Sequence, residues 1–243
     1  MHSFPRPAIF AHRGASHDAP ENTLKAFQLA LQQNADGIEL DVHLSADQQV
    51  VVIHDSDLNR TTNGRGRVEE LSLHDLKQLD AGEGETIPTL VEVLELVGDQ
   101  ILLNIELKGF SSDADKLPQA VLGLTRDFGL SDRVIYSSFD PHVLMLLHRL
   151  DPAAQAGLLL PPGNLSAMIR TFFSPFVRPW SLHPHFESVT ERFIRVANKN
   201  NQPVFTYTVN QPEDMRKVFR LGVSGIFTDI PLLAQKVREE FAS

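Results

Sequence analysis

The chain has 243 residues, which against a usual domain length of about 150 leaves one large domain or two small ones to be weighed. Lys and Arg number 22 against 31 Asp and Glu, and the resulting charge of −9 argues against duplex nucleic acid or an anionic membrane as the main partner. Hydrophobic residues at 42% and charged residues at 22% disfavour intrinsic disorder, and with 10 His and no Cys any metal must be held by oxygen or imidazole.

Met1 to Phe10 carries Pro5 and Pro7 and lacks the basic start and apolar core of a signal peptide, so a cytoplasmic location is expected. From there short β-type runs alternate with helical patterns to the end of the chain, which predicts a βα architecture with a parallel sheet. The principal strands are expected at Ala8–His12, Gly37–Val42, Ile101–Lys108, Val134–Phe139, Ala156–Leu160, Trp180–His183, Val204–Val209 and Gly225–Thr228. Asn22 is placed to cap a helix in which Leu24, Phe27 and Leu31 share a face, and Thr89 with Glu92 predicts a capping box. Asp140–Pro141 and Asn210–Gln211–Pro212 read as further helix starts. Repeated β/α units over about 250 residues predict an α/β fold of the closed (β/α)₈ TIM barrel type. The best candidate for a membrane span, Ala156 to Ile169, is broken by Pro161, Pro162 and Gly163, so neither a membrane span nor stable membrane anchoring is expected.

Gln49–His54 interrupts the alternation. Only the polar run Ser45 to Gln49 separates it from the second strand, whereas a parallel crossover needs a dozen residues or more, so an antiparallel hairpin is predicted. Its register is expected to set His54 roughly opposite Glu39. Ser56 to Pro88 is rich in turn residues and has one short helical pattern near Ser72–Leu79. Residues 1–243 are accordingly expected to form a single barrel domain with an insertion at about 45–88.

Period two puts Ile38, Leu40 and Val42 on one face of the second strand and Glu39, Asp41 and His43 on the other. The next principal strand repeats the pattern with Asn104, Glu106 and Lys108. Barrel strands present apolar residues outward to the helices, so the polar set should turn inward and bring Glu39, Asp41 and Glu106 together. Three carboxylates at close range repel unless a cation joins them, and an all-oxygen set suits Mg²⁺ or Ca²⁺, with Mn²⁺ a third option. Ion pairs with Lys108 and Arg13 are the alternative use of the same charges.

His12 ends the first strand and His54 the hairpin strand, and histidine is the side chain best suited to move protons near neutral pH. Two imidazoles flanking a cation site could serve as acid and base of a displacement, with Arg13 and Lys108 suited to a phosphate. Tyr207, with Phe205 on the same face, could wall the pocket. His43 and His183 have no evident role, and His2, His17, His74, His142, His148 and His185 are expected at the solvated surface.

Read together, His12–Arg13–Gly14, Pro20–Glu21–Asn22–Thr23, Glu39–Leu40–Asp41–Val42, His54–Asp55 and Glu106–Leu107–Lys108 resemble the glycerophosphodiester phosphodiesterase family. The resemblance continues through Leu58–Arg60–Thr61–Thr62–Gly64, Asp80–Ala81–Gly82, Ile87–Pro88–Thr89–Leu90, Ser137–Ser138–Phe139, Tyr207–Thr208–Val209–Asn210 and Thr228–Asp229–Pro231, and is strongest to the compact cytoplasmic bacterial members. It implies a (β/α)₈ barrel, a divalent cation, and hydrolysis of small-molecule glycerophosphodiesters such as glycerophosphocholine to glycerol 3-phosphate and an alcohol. By motif, His12 and His54 match the acid/base pair, Glu39, Asp41 and Glu106 the metal ligands, and Arg13 and Lys108 the phosphate positions. Tyr207 stands where many relatives carry Trp, which keeps an aromatic wall but leaves the preferred alcohol open. A related phosphodiesterase acting on a lysophospholipid is the nearest rival.

Overall fold

Parallel strands that are apolar on one face and mixed on the other can cover both faces by closing into a ring, with helices outside and the mixed face within. The computed structural model describes residues 7–108, 115–163 and 176–242. Its strands are β1 (Ala8–His12), β2 (Gly37–Leu44), β3 (Val50–Val52), β4 (Leu102–Leu107), β5 (Val134–Ser138), β6 (Gln155–Leu160), β7 (Ser181–Pro184), β8 (Phe205–Thr206) and β9 (Gly225–Thr228). All but β3 run parallel in the order β7-β6-β5-β4-β2-β1-β9-β8. Isolated parallel bridges Leu182↔Val204 and His185↔Tyr207 bring the two ends of that order together. The expected (β/α)₈ barrel is therefore present. The strand expected at Val204–Val209 is cut to Phe205–Thr206, because Val204 and Tyr207 meet β7 only at those single bridges.

Outward residues such as Ile9, Ile38, Leu40, Ile105, Leu158 and Ile226 pack against the surrounding helices in one continuous apolar cluster. Each such fully buried side chain stabilises the fold by roughly 1.5–3 kcal/mol. The helices are α1 (Leu24–Gln32), α2 (Leu73–Leu76), α3 (Leu90–Val97), α4 (Leu117–Asp127), α5 (Pro141–Leu150), α6 (Glu191–Lys199), α7 (Pro212–Leu221) and α8 (Pro231–Ala242). The capping box before α3 forms as expected, with Thr89 N–H donating to Glu92 Oε2 at 2.7 Å and Glu92 N–H to Thr89 Oγ1 at 3.2 Å. Asp140 caps α5 by accepting from the His142 N–H at 2.8 Å. The cap of α1 is Thr23, not Asn22: Thr23 is extended and accepts from the Ala26 N–H, whereas Asn22 has φ 57° and turns its side chain to the barrel. None of the described helices is long and apolar enough to cross a membrane, and the apolar run from Ala156 leaves the described residues after Gly163.

The barrel interior is aromatic at its base. Phe10, Phe205 and Phe227 meet with ring centroids 5.4 to 6.4 Å apart, and His183 lies 5.3 Å from Phe227. Two glycines make room for these rings: a Cβ on Gly37 would stand 2.2 Å from the Phe10 ring, and one on Gly157 2.6 Å from His183. His183, whose role the sequence left open, is thus a floor residue, bonded through Nε2 to Ser181 Oγ at 2.8 Å. Burial pushes its pKa down to about 3. Between that value and the ordinary His range near 6.5, the unfolded chain binds a proton that the folded chain does not, so stability falls as pH drops below about 6.5. Urea midpoints measured from pH 7.5 to 5 should therefore fall less steeply in His183→Gln than in the parent; equal slopes would contradict the assignment.

β3 pairs antiparallel with β2 as expected, but the register is Val42↔Val52 and Leu44↔Val50, which sets His54 level with Leu40 instead of Glu39. Beyond β3, residues Val51, Ile53, Leu58, Val68, Leu76, Ala81 and Ile87 form a small apolar cluster of their own.

Candidate active site

The carboxyl ends of β1, β2 and β4 bring the polar inward residues together above the aromatic floor. His12 pairs with Glu39 across β1 and β2, and Asp41 with Glu106 across β2 and β4. Glu39, Asp41 and Glu106 are 4%, 1% and 8% exposed, so water can do little to moderate their repulsion. One carboxylate oxygen from each lies within 4.8 Å of the others.

The expected cation pairs form around the same group. Lys108 Nζ lies 2.7 Å from Asp41 Oδ1 and 2.6 Å from Glu106 Oε1, and Arg13 Nε lies 3.4 Å from Asp41 Oδ2. Burial opposes ionisation of Asp41, but Lys108 and Arg13 outweigh it and hold the carboxyl far below the usual range. Glu39 fares differently. Burial, then Asp41 and Glu106, push its carboxyl well above the ordinary value. Burial also raises Glu106 against the pull of Lys108. Ion pairing and a cation site are therefore not exclusive: two basic side chains satisfy Asp41, while Glu39 retains an unfavourable charge that a bound cation would relieve. Three buried carboxylates with this convergence fit a hard divalent ion.

After His12 the chain turns through Arg13 at φ 57° and Gly14 at φ 83°, where a Cβ would stand 2.7 Å from the backbone of Ala26. The turn directs the Arg13 N–H to Glu39 Oε2 at 3.0 Å. Asn22, read from sequence as a helix cap, instead donates from Nδ2 to Asp41 Oδ2 at 2.8 Å. His43 donates from Nε2 to the His54 carbonyl at 3.1 Å, so it fixes the backbone that carries the second histidine.

Each candidate histidine is held at Nδ1 by a carboxylate. His12 Nδ1 lies 2.6 Å from Asp229 Oδ1, and His54 Nδ1 lies 2.5 Å from Asp55 Oδ1. An ionised carboxylate only accepts, so Nδ1 carries the proton and Nε2 is the ring nitrogen outside that contact. Asp229 is oriented in turn by Asn210 Nδ2, which donates to its other oxygen at 2.6 Å. Burial lowers the His54 pKa, with Asp41 opposing and Lys108 and Arg13 assisting.

His12 and His54 line one pocket together with Arg13, Glu39, Asn104, Glu106, Phe139, Leu159, Tyr207, Thr208 and Phe227. Asp41 and Lys108 do not line it, and Lys108 joins Asp41 to the lining residue Glu106. Tyr207 packs edge-on to Phe139 at 5.8 Å and donates its hydroxyl to the Leu160 carbonyl at 2.8 Å, so it offers the pocket a ring face. Phe205 lies in the floor below and does not wall the pocket. His185 is not a solvated surface residue: its ring packs 4.8 Å from Phe186 and 5.8 Å from Tyr207. His17, His74 and His142 are exposed as expected, and His148 is half-buried. His2 lies outside the described residues.

A sequence model of the glycerophosphoryl diester phosphodiesterase family matches residues 12–233. A glycerophosphodiester phosphodiesterase of Caldanaerobacter subterraneus is 38% identical over 92% of this chain and 94% of its own length. One from Bacillus altitudinis is 37% identical over 96% and 98%. Among solved structures, an Oleispira antarctica phosphodiesterase in complex with the product sn-glycerol-3-phosphate superposes with a TM-score of 0.87 at 30% identity, covering 96% of this chain and 97% of that one. The Thermotoga maritima glycerophosphodiester phosphodiesterase gives 0.80 at 32% identity, covering 98% and 100%.

Proposed function

The chain belongs to the glycerophosphoryl diester phosphodiesterase family and is a phosphoric diester hydrolase, and from that premise we propose that its barrel pocket cleaves glycerophosphodiesters by paired-histidine acid/base catalysis at a divalent cation. The substrates are small diesters such as glycerophosphocholine and glycerophosphoethanolamine, and the products are glycerol 3-phosphate and the free alcohol. One observation carries this reading: two imidazoles, each oriented at Nδ1 by a carboxylate, line the same pocket as Glu39 and Glu106 of the buried acidic group. The Oleispira relative, which holds glycerol 3-phosphate, supports the choice of product.

The nucleophile's oxygen, that of water directly or of the neighbouring glycerol hydroxyl with water then opening the cyclic phosphate, bonds to phosphorus, and the phosphorus–oxygen bond to the alcohol breaks. One imidazole takes the nucleophile's proton at Nε2, and the other gives a proton to the departing alkoxide. Arg13 supplies hydrogen-bond donors and positive charge for the non-bridging oxygens, and Lys108, paired with Asp41 and Glu106, adds positive charge. Glu39, Asp41 and Glu106 would hold the cation, Mg²⁺ or Ca²⁺ with Mn²⁺ as a third option, which when bound draws charge from those same oxygens. Tyr207 and Phe139 provide an aromatic wall for the alcohol portion. The reading treats residues 1–243 as one domain, with residues 45–88 inserted to deliver His54. Comparing rates of alcohol release from glycerophosphocholine and from a lysophospholipid tests the substrate class, with the small diester expected to be the faster; a faster lysophospholipid would overturn it.

Asp229 gives a narrower prediction. In Asp229→Asn, the amide can turn an N–H toward His12 and favour the wrong tautomer. Turnover should fall by roughly 10- to 100-fold, as for other groups that orient a functional imidazole, with an unchanged circular dichroism spectrum. A normal kcat would show that His12 needs no such partner.

A further inference from the structure

Arg60 lies in the segment between β3 and α3, in the Leu58–Gly64 stretch that none of the proposed steps uses. Its side chain forks onto two carboxylates at once. Nε and Nη2 reach Asp55 Oδ2 and Oδ1 at 2.6 and 3.2 Å, while Nη1 and Nη2 reach Glu21 Oε2 and Oε1 at 2.7 and 2.8 Å. Each carboxylate then touches a pocket residue from behind. Asp55 holds His54 Nδ1 at 2.5 Å, and Glu21 Oε1 accepts from Arg13 Nη1 at 2.8 Å. The backbone that carries Arg60 is anchored: Leu58 is fully buried in the small apolar cluster, its N–H donates to the Gly66 carbonyl at 3.0 Å, and Thr62 Oγ1 donates to the Leu58 carbonyl at 2.7 Å.

We propose that Arg60 is a positioning residue that sets His54, through Asp55, and Arg13, through Glu21, in fixed relation across the mouth of the pocket. Arg60 itself is 47% exposed, and ion pairs at such sites add little to folding stability, so stability alone gives small reason for two bidentate contacts. Positioning gives a stronger one. A planar guanidinium can lock two carboxylate planes where an ammonium cannot. The segment that carries it thereby ties the hairpin histidine to the loop after β1, although the two belong to different strands. Arg60 first, against partial burial and then with His54, holds the Asp55 carboxyl down at about 2, so the group that orients His54 stays an acceptor across the working pH range. The inference rests on the paired-histidine reading.

The test is a pair of double-mutant cycles in steady-state hydrolysis of glycerophosphocholine by the cation-loaded full chain. Arg60→Ala should lower kcat by roughly 10- to 100-fold, the cost of a misplacement on the order of 1 Å, and raise KM several-fold, with little change in melting temperature. In a His54→Gln background the kcat factor should shrink to less than about two, and in an Arg13→Ala background the KM factor should do the same. Arg60→Lys, which keeps the charge but not the fork, should show both defects in milder form. Factors that multiply unchanged across the backgrounds, a loss of rate that only follows lost folding, or normal kinetics in Arg60→Lys would each overturn the proposal. The His54→Gln single variant separates the two levels. Near-normal turnover there removes the paired-histidine reading and this inference with it, whereas a crippled single variant with multiplying factors removes this inference alone.

Discussion

His12→Ala and His54→Ala should each lower the turnover of glycerophosphocholine by roughly 10²- to 10⁴-fold, the range in which positioned acids and bases contribute. The expectation follows from placement. Both rings line the same pocket, and both have Nδ1 tied to a carboxylate, so Nε2 is the nitrogen left for proton exchange in each. Neither ring is part of the apolar clusters that stabilise the barrel, and the variants should keep the parent's spectrum and melt. The loss should therefore appear in kcat with KM little changed, because the groups act on protons in flight and not on the bound ground state. Release of glycerol 3-phosphate, followed by a coupled colorimetric assay, measures it directly.

Removal of divalent cations by EDTA should reduce activity to the assay background, a loss on the order of 10³-fold or more if the ion supplies several kcal/mol at the transition state. Mg²⁺, Ca²⁺ or Mn²⁺ should restore it. The physical ground is the buried acidic group, in which burial, then Asp41 and Glu106, push the Glu39 carboxyl well above its ordinary value. A cation competes with protons for carboxylates raised in this way, so cation affinity should rise with pH and binding should release protons, both readable by calorimetry in buffers of different ionisation enthalpy. Glu39→Gln should weaken binding in the same titration. Full activity after exhaustive chelation would leave the acidic group to its pairs with Lys108 and Arg13 and would return it to a purely structural role.

The parts of this site that sequence could disclose are those that obey a local period. Alternation along β2 and β4 placed Glu39, Asp41 and Glu106 inward, and in the folded chain their oxygens converge. Strand ends marked His12 and His54 for the same reason. What sequence could not give are the contacts between distant positions that orient them. Asp229 follows the last barrel strand as an ordinary loop residue, and its contact with His12 joins positions 217 apart. Asn22 precedes a helix and so reads as a cap, but Thr23 takes that place because its hydroxyl reaches the Ala26 N–H, which frees Asn22 for Asp41. The hairpin register slipped by one because it depends on turn geometry: Gln48 adopts φ 62°, and Ser45 N–H closes onto the Gln49 carbonyl at 2.9 Å. His43 and His183 sit on inward-facing strands with nothing local to distinguish one role from the other. Only the folded barrel shows the first bonded to the His54 carbonyl and the second packed into the floor.

The double variant His12→Ala/His54→Ala bears most directly on the claim that the two imidazoles form one acid/base unit. Measured for glycerol 3-phosphate release at saturating cation, its kcat should lie close to that of the worse single variant, because residues that act together lose their contribution together. If the double variant lost the product of the two single losses, the imidazoles would be acting independently. If it kept a rate near that of the parent chain, the paired-histidine account of this pocket would be wrong.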